Sequence, residues 1–168
     1  MTDALTLRGG VILLATVAMG LAAGLFYSFS IAVMRGLAQT DDRTFVSTMQ
    51  QINVRILNGW FALSFGGALV LTLLAVVLHL GAAHRGVLWW VVVAAALYIA
   101  QLIITFGLNI PLNNALDAAG DPDRIGDLAA VRAAFEAKWV LWNNVRTWLS
   151  LGGFVSLLGA LVAYGRSL

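Results

Sequence analysis

The sequence predicts an all-α integral membrane protein, a four-helix bundle with amphipathic interfacial helices in its first and third connections. Three observations carry that prediction. The chain is 61% hydrophobic and 11% charged, too apolar to cover a water-soluble globule with a solvated surface. Four stretches, Gly9 to Met34, Trp60 to Leu80, Val87 to Ile110 and Val145 to Tyr164, are long enough to cross a hydrocarbon core of roughly 30 Å at about 1.5 Å per helical residue. Within them, Leu69 to Leu78 and Leu88 to Ala100 are apolar on every side, which does not fit the apolar and polar alternation of barrel strands. The 168 residues read as a single four-span domain.

The first span is longer than a signal-peptide core and merges into Phe26-Tyr27-Ser28-Phe29 without a small-residue cleavage site, so it is read as a retained helix. Along it Thr16, Gly20, Gly24, Ser28, Ala32 and Gly36 recur every four residues. Such a small-residue stripe brings helices close, within a chain or between copies of it, so a homo-oligomer is one expected partnership. In the first connection Asp41, Asp42 and Thr44 offer capping oxygens, and Phe45, Met49, Ile52 and Ile56 recur at helical spacing, as in a helix lying at the interface. The second connection, Gly81 to Arg85, is short. The third opens with the turn Gly120-Asp121-Pro122-Asp123. Asp127 is then placed to cap a helix whose Leu128, Val131, Phe135, Trp139 and Trp142 share one face, and which runs on into the fourth span. Ser64-Phe65-Gly66-Gly67 and Ser150-Leu151-Gly152-Gly153 lie 86 residues apart, each six residues after an asparagine (Asn58, Asn144). A duplicated helical hairpin accounts for this, and so does coincidence in Gly-rich apolar sequence.

Several function classes are disfavoured. The ten basic residues are scattered, without the dense cluster that grips nucleic acid. There is no cysteine, hence no disulfide, thiolate metal site or thiol nucleophile. Acidic residues fall outside the expected spans, which removes the proton relay of a pump or ion-coupled transporter. The two histidines, His79 and His84, sit at the short second connection and read as interfacial; a haem or copper centre held by them is the disfavoured alternative to a protein without metal or cofactor.

Intramembrane polar groups are costly unless they face the bundle interior, so they mark where function can live. If the helices alternate up and down, Tyr98, Gln101, Thr105 and Asn109 of the third span, Asn113 and Asn114 beyond Pro111, and Asn143, Asn144, Arg146 and Thr147 of the fourth converge with Tyr27, Ser28, Ser30, Asn53, Arg55 and Asn58 at one end. Arg146 comes first among these, since a guanidinium stays charged and its forked donors hold an anionic oxygen; snorkelling to lipid phosphates is the competing account. Asn109, Asn113, Asn143 and Asn144 offer donors and acceptors, or serve as caps for a helix that Pro111 ends or breaks. Trp60, Trp139, Trp142 and Trp148 either stack on an aromatic ligand or form an interfacial belt.

The chain resembles the anthrone oxygenase-like family of small four-helix membrane proteins, a bacterial domain of unknown function. The resemblance rests on Phe29-Ser30-Ile31-Ala32-Val33-Met34 leading to Gly36-Leu37, Met49-Gln50-Gln51-Ile52-Asn53 with Asn58-Gly59-Trp60-Phe61, Asn109-Ile110-Pro111-Leu112-Asn113-Asn114, and Trp139-Val140-Leu141-Trp142-Asn143 with Arg146-Thr147. Arg35 stands where relatives are expected to carry proline. The resemblance implies oxygenation of a polycyclic anthrone or other electron-rich phenolic molecule by dioxygen, independent of a cofactor. Under it, Arg146 with Asn109 and Asn143 would be catalytic, stabilising a developing oxyanion. Trp142, Trp139, Asn113, Asn53, Trp60, Tyr27 and Tyr98 would contact the substrate, Tyr27, Tyr98 or water serving as base. The alternative is a non-catalytic membrane module that binds a quinone, lipid or other apolar molecule, or supports a partner protein. Seven basic residues (Arg35, Arg43, Arg55, Arg124, Arg132, Lys138, Arg146) fall at the elaborate end and three (Arg8, Arg85, Arg166) at the other. The positive-inside rule then puts the long connections in the cytoplasm of a bacterial inner membrane.

Overall fold

The computed structural model of the chain describes residues 2–81 and 85–167. Helices α1 (Thr2–Ser28) and α2 (Met34–Leu37) are joined without a break by a π-helical turn, Phe29–Val33. α3 (Asp42–Arg55) and α4 (Gly59–Leu78) follow. α5 (Arg85–Ile104) and α6 (Ile110–Ala118) are joined by a second π-turn, Thr105–Asn109, and α7 (Leu128–Gly165) closes the chain. No strand occurs among the described residues. Four helical segments are long and apolar enough to cross a membrane: Leu7–Leu37, Gly59–Leu78, Arg85–Ala118 and Leu128–Gly165. The protein is a membrane helical bundle.

The lengths explain the shape. α4, with 20 residues, matches the hydrocarbon thickness, whereas the other three segments have 31, 34 and 38 residues and overshoot it. Their surplus lies at one end, where Leu37, Ala118 and Leu128 stand, and α3 closes over that end. Of the two outcomes expected near Pro111, an end or a break, the structure shows the second: regular α-helix is interrupted at Thr105–Asn109 and resumes at Ile110. The π-turn absorbs the proline: Ile110 N–H bonds back five residues to the Thr105 carbonyl, and α6 continues past the residue that lacks an N–H.

Within the spans, lipid is as apolar as the core, so close packing of small residues holds the helices together. α1 packs against α4 and α7, and α5 packs on α7 and, less closely, on α4. Ala15 and Ala22 of α1, Ala68 and Ala75 of α4, Ala94 of α5 and Ala160 of α7 are buried among Ile12, Met19, Val91, Tyr98 and Leu157. At Gly153 a Cβ would lie 3.3 Å from Met19 Sδ and 3.5 Å from the Ala94 carbonyl, so glycine sets the approach of α7 to two neighbours. The expected small-residue stripe is used unevenly: Gly20 meets the Phe154 ring, while Gly24 and Gly36 face open space. The two glycine pairs of the apparent repeat also differ, since Gly152 and Gly153 are packed and Gly66 and Gly67 have nothing within 4 Å.

Above the spans, Phe45, Val46 and Met49 of α3 form a second core with Phe29, Met34, Leu116, Phe135 and Trp139. The apolar face of α3 is thus turned onto protein. Burying each large side chain contributes about 1.5–3 kcal/mol. Asp41 caps α3 by accepting from Thr44 N–H at 2.9 Å and Thr44 Oγ1 at 2.7 Å, and these bonds hold its carboxyl below the usual value of 3.8. A depressed folded value means the cap is fully present above pH 3.8 and is lost only as pH falls through the lower folded value. Gln50 Nε2 donates to the carbonyls of Leu116 and Gly120, both at 2.9 Å, which ties α3 to the end of α6.

Arg132 of α7 fastens the end of the first span. It donates to the carbonyls of Thr40 (2.9 Å) and Ala38 (3.1 Å), pairs with Asp42 (3.0 Å) and Glu136 (2.6 Å), and lies 4.5 Å above the Phe45 ring. Arg132→Ala is expected to destabilise the protein by about 2 kcal/mol, read as a lower melting temperature in detergent. Arg132→Lys should not restore it, because an ammonium lacks the planar fork.

Candidate functional site

α4 leaves the bundle toward its N-terminal end. Its buried residues, Ala68, Thr72 and Ala75, all lie from its middle onward. Beside its first half, under α3, is a cavity of about 700 Å³ bounded by all four spans, within the roughly 300–1,000 Å³ of small-molecule sites. Its wall is phenylalanine: Phe26 and Phe29 from the first span, Phe61 and Phe65 from α4, and Phe106 from the π-turn, with Trp139 from α7. Phe61 and Phe65 stack at 4.9 Å, and Phe65 also meets Phe26 at 6.3 Å and Phe106 at 6.5 Å.

One cation reaches this aromatic wall from inside the bundle. Arg146 is buried, with Cζ 4.3 Å from the Phe26 ring centroid and 5.1 Å from that of Trp139. Its Nε and Nη2 both donate to Asn143 Oδ1, at 3.1 and 3.0 Å. Among the described residues no carboxylate pairs with it, and its Nη1 donates to no protein group. Asn143 is itself held from the other side: Nδ2 donates to the Phe26 carbonyl at 3.1 Å and to Ser30 Oγ at 2.8 Å. One amide therefore joins the first span to the guanidinium.

The remaining sequence candidates divide. Asn53, Asn113 and Trp139 line the cavity with Arg146. Trp139 Nε1 donates to Asn113 Oδ1 at 2.7 Å, and Asn53 Nδ2 donates to Asp117 Oδ1 at 3.2 Å. Asn109 is fully buried behind the wall, bonded through Nδ2 to the Trp139 carbonyl at 3.3 Å, with Oδ1 lacking a protein partner. Asn58 caps α4. Tyr98 is buried, its hydroxyl donating to the Phe65 carbonyl at 2.7 Å. Tyr27 faces a separate groove on the opposite side of Asn143. Trp142 is half-buried and does not line the cavity, and Trp60 is 83% exposed at the start of α4. His79, read as interfacial, is buried at the far end of the bundle, its Nδ1 2.7 Å from the Ala75 carbonyl; His84 lies outside the described residues.

Sequence reasoning placed Ser30 at this end but did not single out Phe26, Phe61, Phe65, Phe106 or Asp117 for the site. In an apolar span phenylalanine looks like any lipid-facing residue; the available signal was the Phe61 and Phe65 pair at i, i+4 directly after the Asn58 cap. Asp117 was counted outside the spans because the third span was read as Val87 to Ile110. It lies in α6 and lines the cavity as its one acidic residue.

The model of the anthrone oxygenase family matches residues 57–156. The chain belongs to that family. The match runs from the cap of α4 through Asn109, Asn113, Asp117 and Trp139 to Asn143 and Arg146, so an oxygenase-like assignment covers the guanidinium and three of the cavity's four walls. The fourth wall, Phe26 and Phe29, and the Asn53 roof precede it. Searches of curated proteins and of solved structures found no match.

Gly66 lines this cavity, and a Cβ there would meet nothing within 4 Å. Gly66→Leu is expected to keep or raise the melting temperature, since glycine costs a helix about 1 kcal/mol. It should weaken binding of a naphthol probe by about tenfold, measured by tryptophan fluorescence.

Proposed function

We propose that the protein oxidises an electron-rich polycyclic or phenolic substrate with dioxygen inside this cavity, without a cofactor. The observation that carries the reading is the Arg146 guanidinium: buried, unpaired by any carboxylate among the described residues, and presented on an aromatic wall. A buried cation with spare donors favours a ligand that carries or develops negative charge on oxygen. Membership of the anthrone oxygenase family supplies the reaction class.

In the anthrone case the chemistry is self-contained. A ring CH₂ opposite the carbonyl loses a proton, and the electrons move onto the carbonyl oxygen as an enolate. Arg146 stabilises that oxyanion, lowering the barrier to deprotonation. The enolate gives one electron to dioxygen, and the two radicals combine to form a C–O bond. The resulting hydroperoxide loses water and leaves a second carbonyl. CH₂ and O₂ thus become C=O and H₂O, and the substrate supplies every electron.

Asn143 positions Arg146 and does not touch the substrate. Asn109 braces α5 against α7. Trp139, Phe26 and Phe65 pack on the rings. With Tyr98 bonded to a backbone carbonyl and Tyr27 outside the cavity, Asp117 is the proton acceptor, directly or through water. A carboxylate base opposed by oxyanion donors is an established pattern for removing a proton next to a carbonyl.

Purified protein should accelerate dioxygen uptake and quinone formation from a simple anthrone above the spontaneous rate. Arg146→Ala should lower kcat by about 10²–10³, and Asp117→Asn should lower kcat by about 10²-fold while leaving binding of the anthrone unchanged. Binding without acceleration, equal in the protein and Arg146→Ala, would reject the oxygenase and leave an apolar-ligand carrier.

A further inference from the structure

A second concave surface lies behind Asn143, away from the cavity. Between the first span and α7 runs a groove of about 460 Å³, lined by Tyr27, Ser30, Arg35, Asn144, Thr147 and Trp148 among others. Glu136 also lines it, but Arg132 neutralises that carboxylate at 2.6 Å. Arg35 and Asn144 make no hydrogen bond or ion pair among the described residues, so the groove presents one free cation beside one free amide.

Its depth follows from the helix register. Ser30 Oγ meets Thr147 Oγ1 at 3.1 Å, and the Phe26 carbonyl meets Asn143, which places residues 26–30 level with 143–147. The Phe26 and Phe65 rings bring the same level to the first half of α4, about one and a half turns from exposed Trp60. Tyr27, Trp60 and Trp148, all exposed, therefore mark one boundary, as amphipathic aromatics do at headgroup depth. Ile31, beside them, faces outward. Arg35 is about two turns beyond Tyr27, roughly 12 Å, on the headgroup side of that belt.

We propose that this groove holds one anionic phospholipid, with the phosphate on Arg35 and Asn144 and the ester region against Ser30, Thr147, Tyr27 and Trp148. Arg35 suits the part, since its forked donors match phosphate geometry and it stands where the family resemblance led to an expectation of proline. The open side of the groove is apolar and aromatic, which selects a lipid over a free anion. The lipid rests on the support of Arg146: Ser30 Oγ accepts from Asn143 Nδ2, and Thr147 Oγ1 donates to the Asn143 carbonyl at 2.7 Å.

Native mass spectrometry of the full-length protein, released from detergent containing equal phosphatidylglycerol and phosphatidylcholine, tests this. One phosphatidylglycerol should be retained in preference to phosphatidylcholine. Arg35→Gln should weaken retention by about tenfold, Arg35→Lys by less, and Arg124→Gln, outside the groove, not at all. Excess inorganic phosphate should leave the lipid bound. Equal retention by Arg35→Gln and the unaltered protein overturns the proposal, as does equal retention of the two lipids or displacement by phosphate alone. Because no step depends on turnover, its failure is separable from failure of the oxygenase reading.

Discussion

The bundle is organised around the need to hold a guanidinium away from water. A buried cation without a partner costs several kcal/mol, and among the described residues no acidic group pairs with Arg146. The offset comes from neutral groups. Asn143 Oδ1 takes two of its N–H donors, and the faces of Phe26 and Trp139 supply the negative side of a ring quadrupole. Asparagine suits this position because its other end is a donor: Nδ2 is anchored on the first span, so the acceptor cannot swing away. A carboxylate there would neutralise the cation and forfeit its attraction for an outside anion.

Holding the group this way requires two spans to be locally irregular at the same depth. The π-turns Phe29–Val33 and Thr105–Asn109 lie on the first and third spans at the level where α7 carries Asn143 and Arg146. A π-turn widens one turn of the ladder and redirects the side chains that follow. Phe29 and Thr105 open these turns and both line the cavity. The Phe26 carbonyl, just before the first, accepts from Asn143 Nδ2 and from Ser30 Oγ at 3.2 Å. Irregular backbone at membrane depth is tolerated where it lines a cavity or is buried in protein.

The features legible from sequence are those with a local cause. Hydrophobic length gave four spans, the Asp41 and Asp127 caps were read from side chains that compete for backbone N–H groups, and Arg146 stood out as a charge in an apolar segment. The features that escaped depend on tertiary accommodation. Whether Pro111 ends a helix or is absorbed by a π-turn depends on the packing around it, and on that outcome hung the placement of Asp117. Which aromatics face inward depends on how far α4 leans out: Phe61 and Phe65 line the space, while Trp60, one residue earlier, points to lipid. Asn109 and Asn143 look equivalent by composition, yet one braces two helices and the other holds the cation.

The amide of Asn143 also separates two environments. Its oxygen faces the aromatic cavity beneath α3, and its nitrogen faces the wall of the groove between the first span and α7. A shift of the first span against α7 would move Ser30 and the Phe26 carbonyl together, and with them the acceptor that aims Arg146. Few degrees of freedom remain, because Arg132 clamps the end of that span and Gly153 fixes its approach to α7 lower down. The orientation of the cation is thus set by the packing of two helices, and α3 is tied over them by Gln50 and by the Asp42 pair with Arg132.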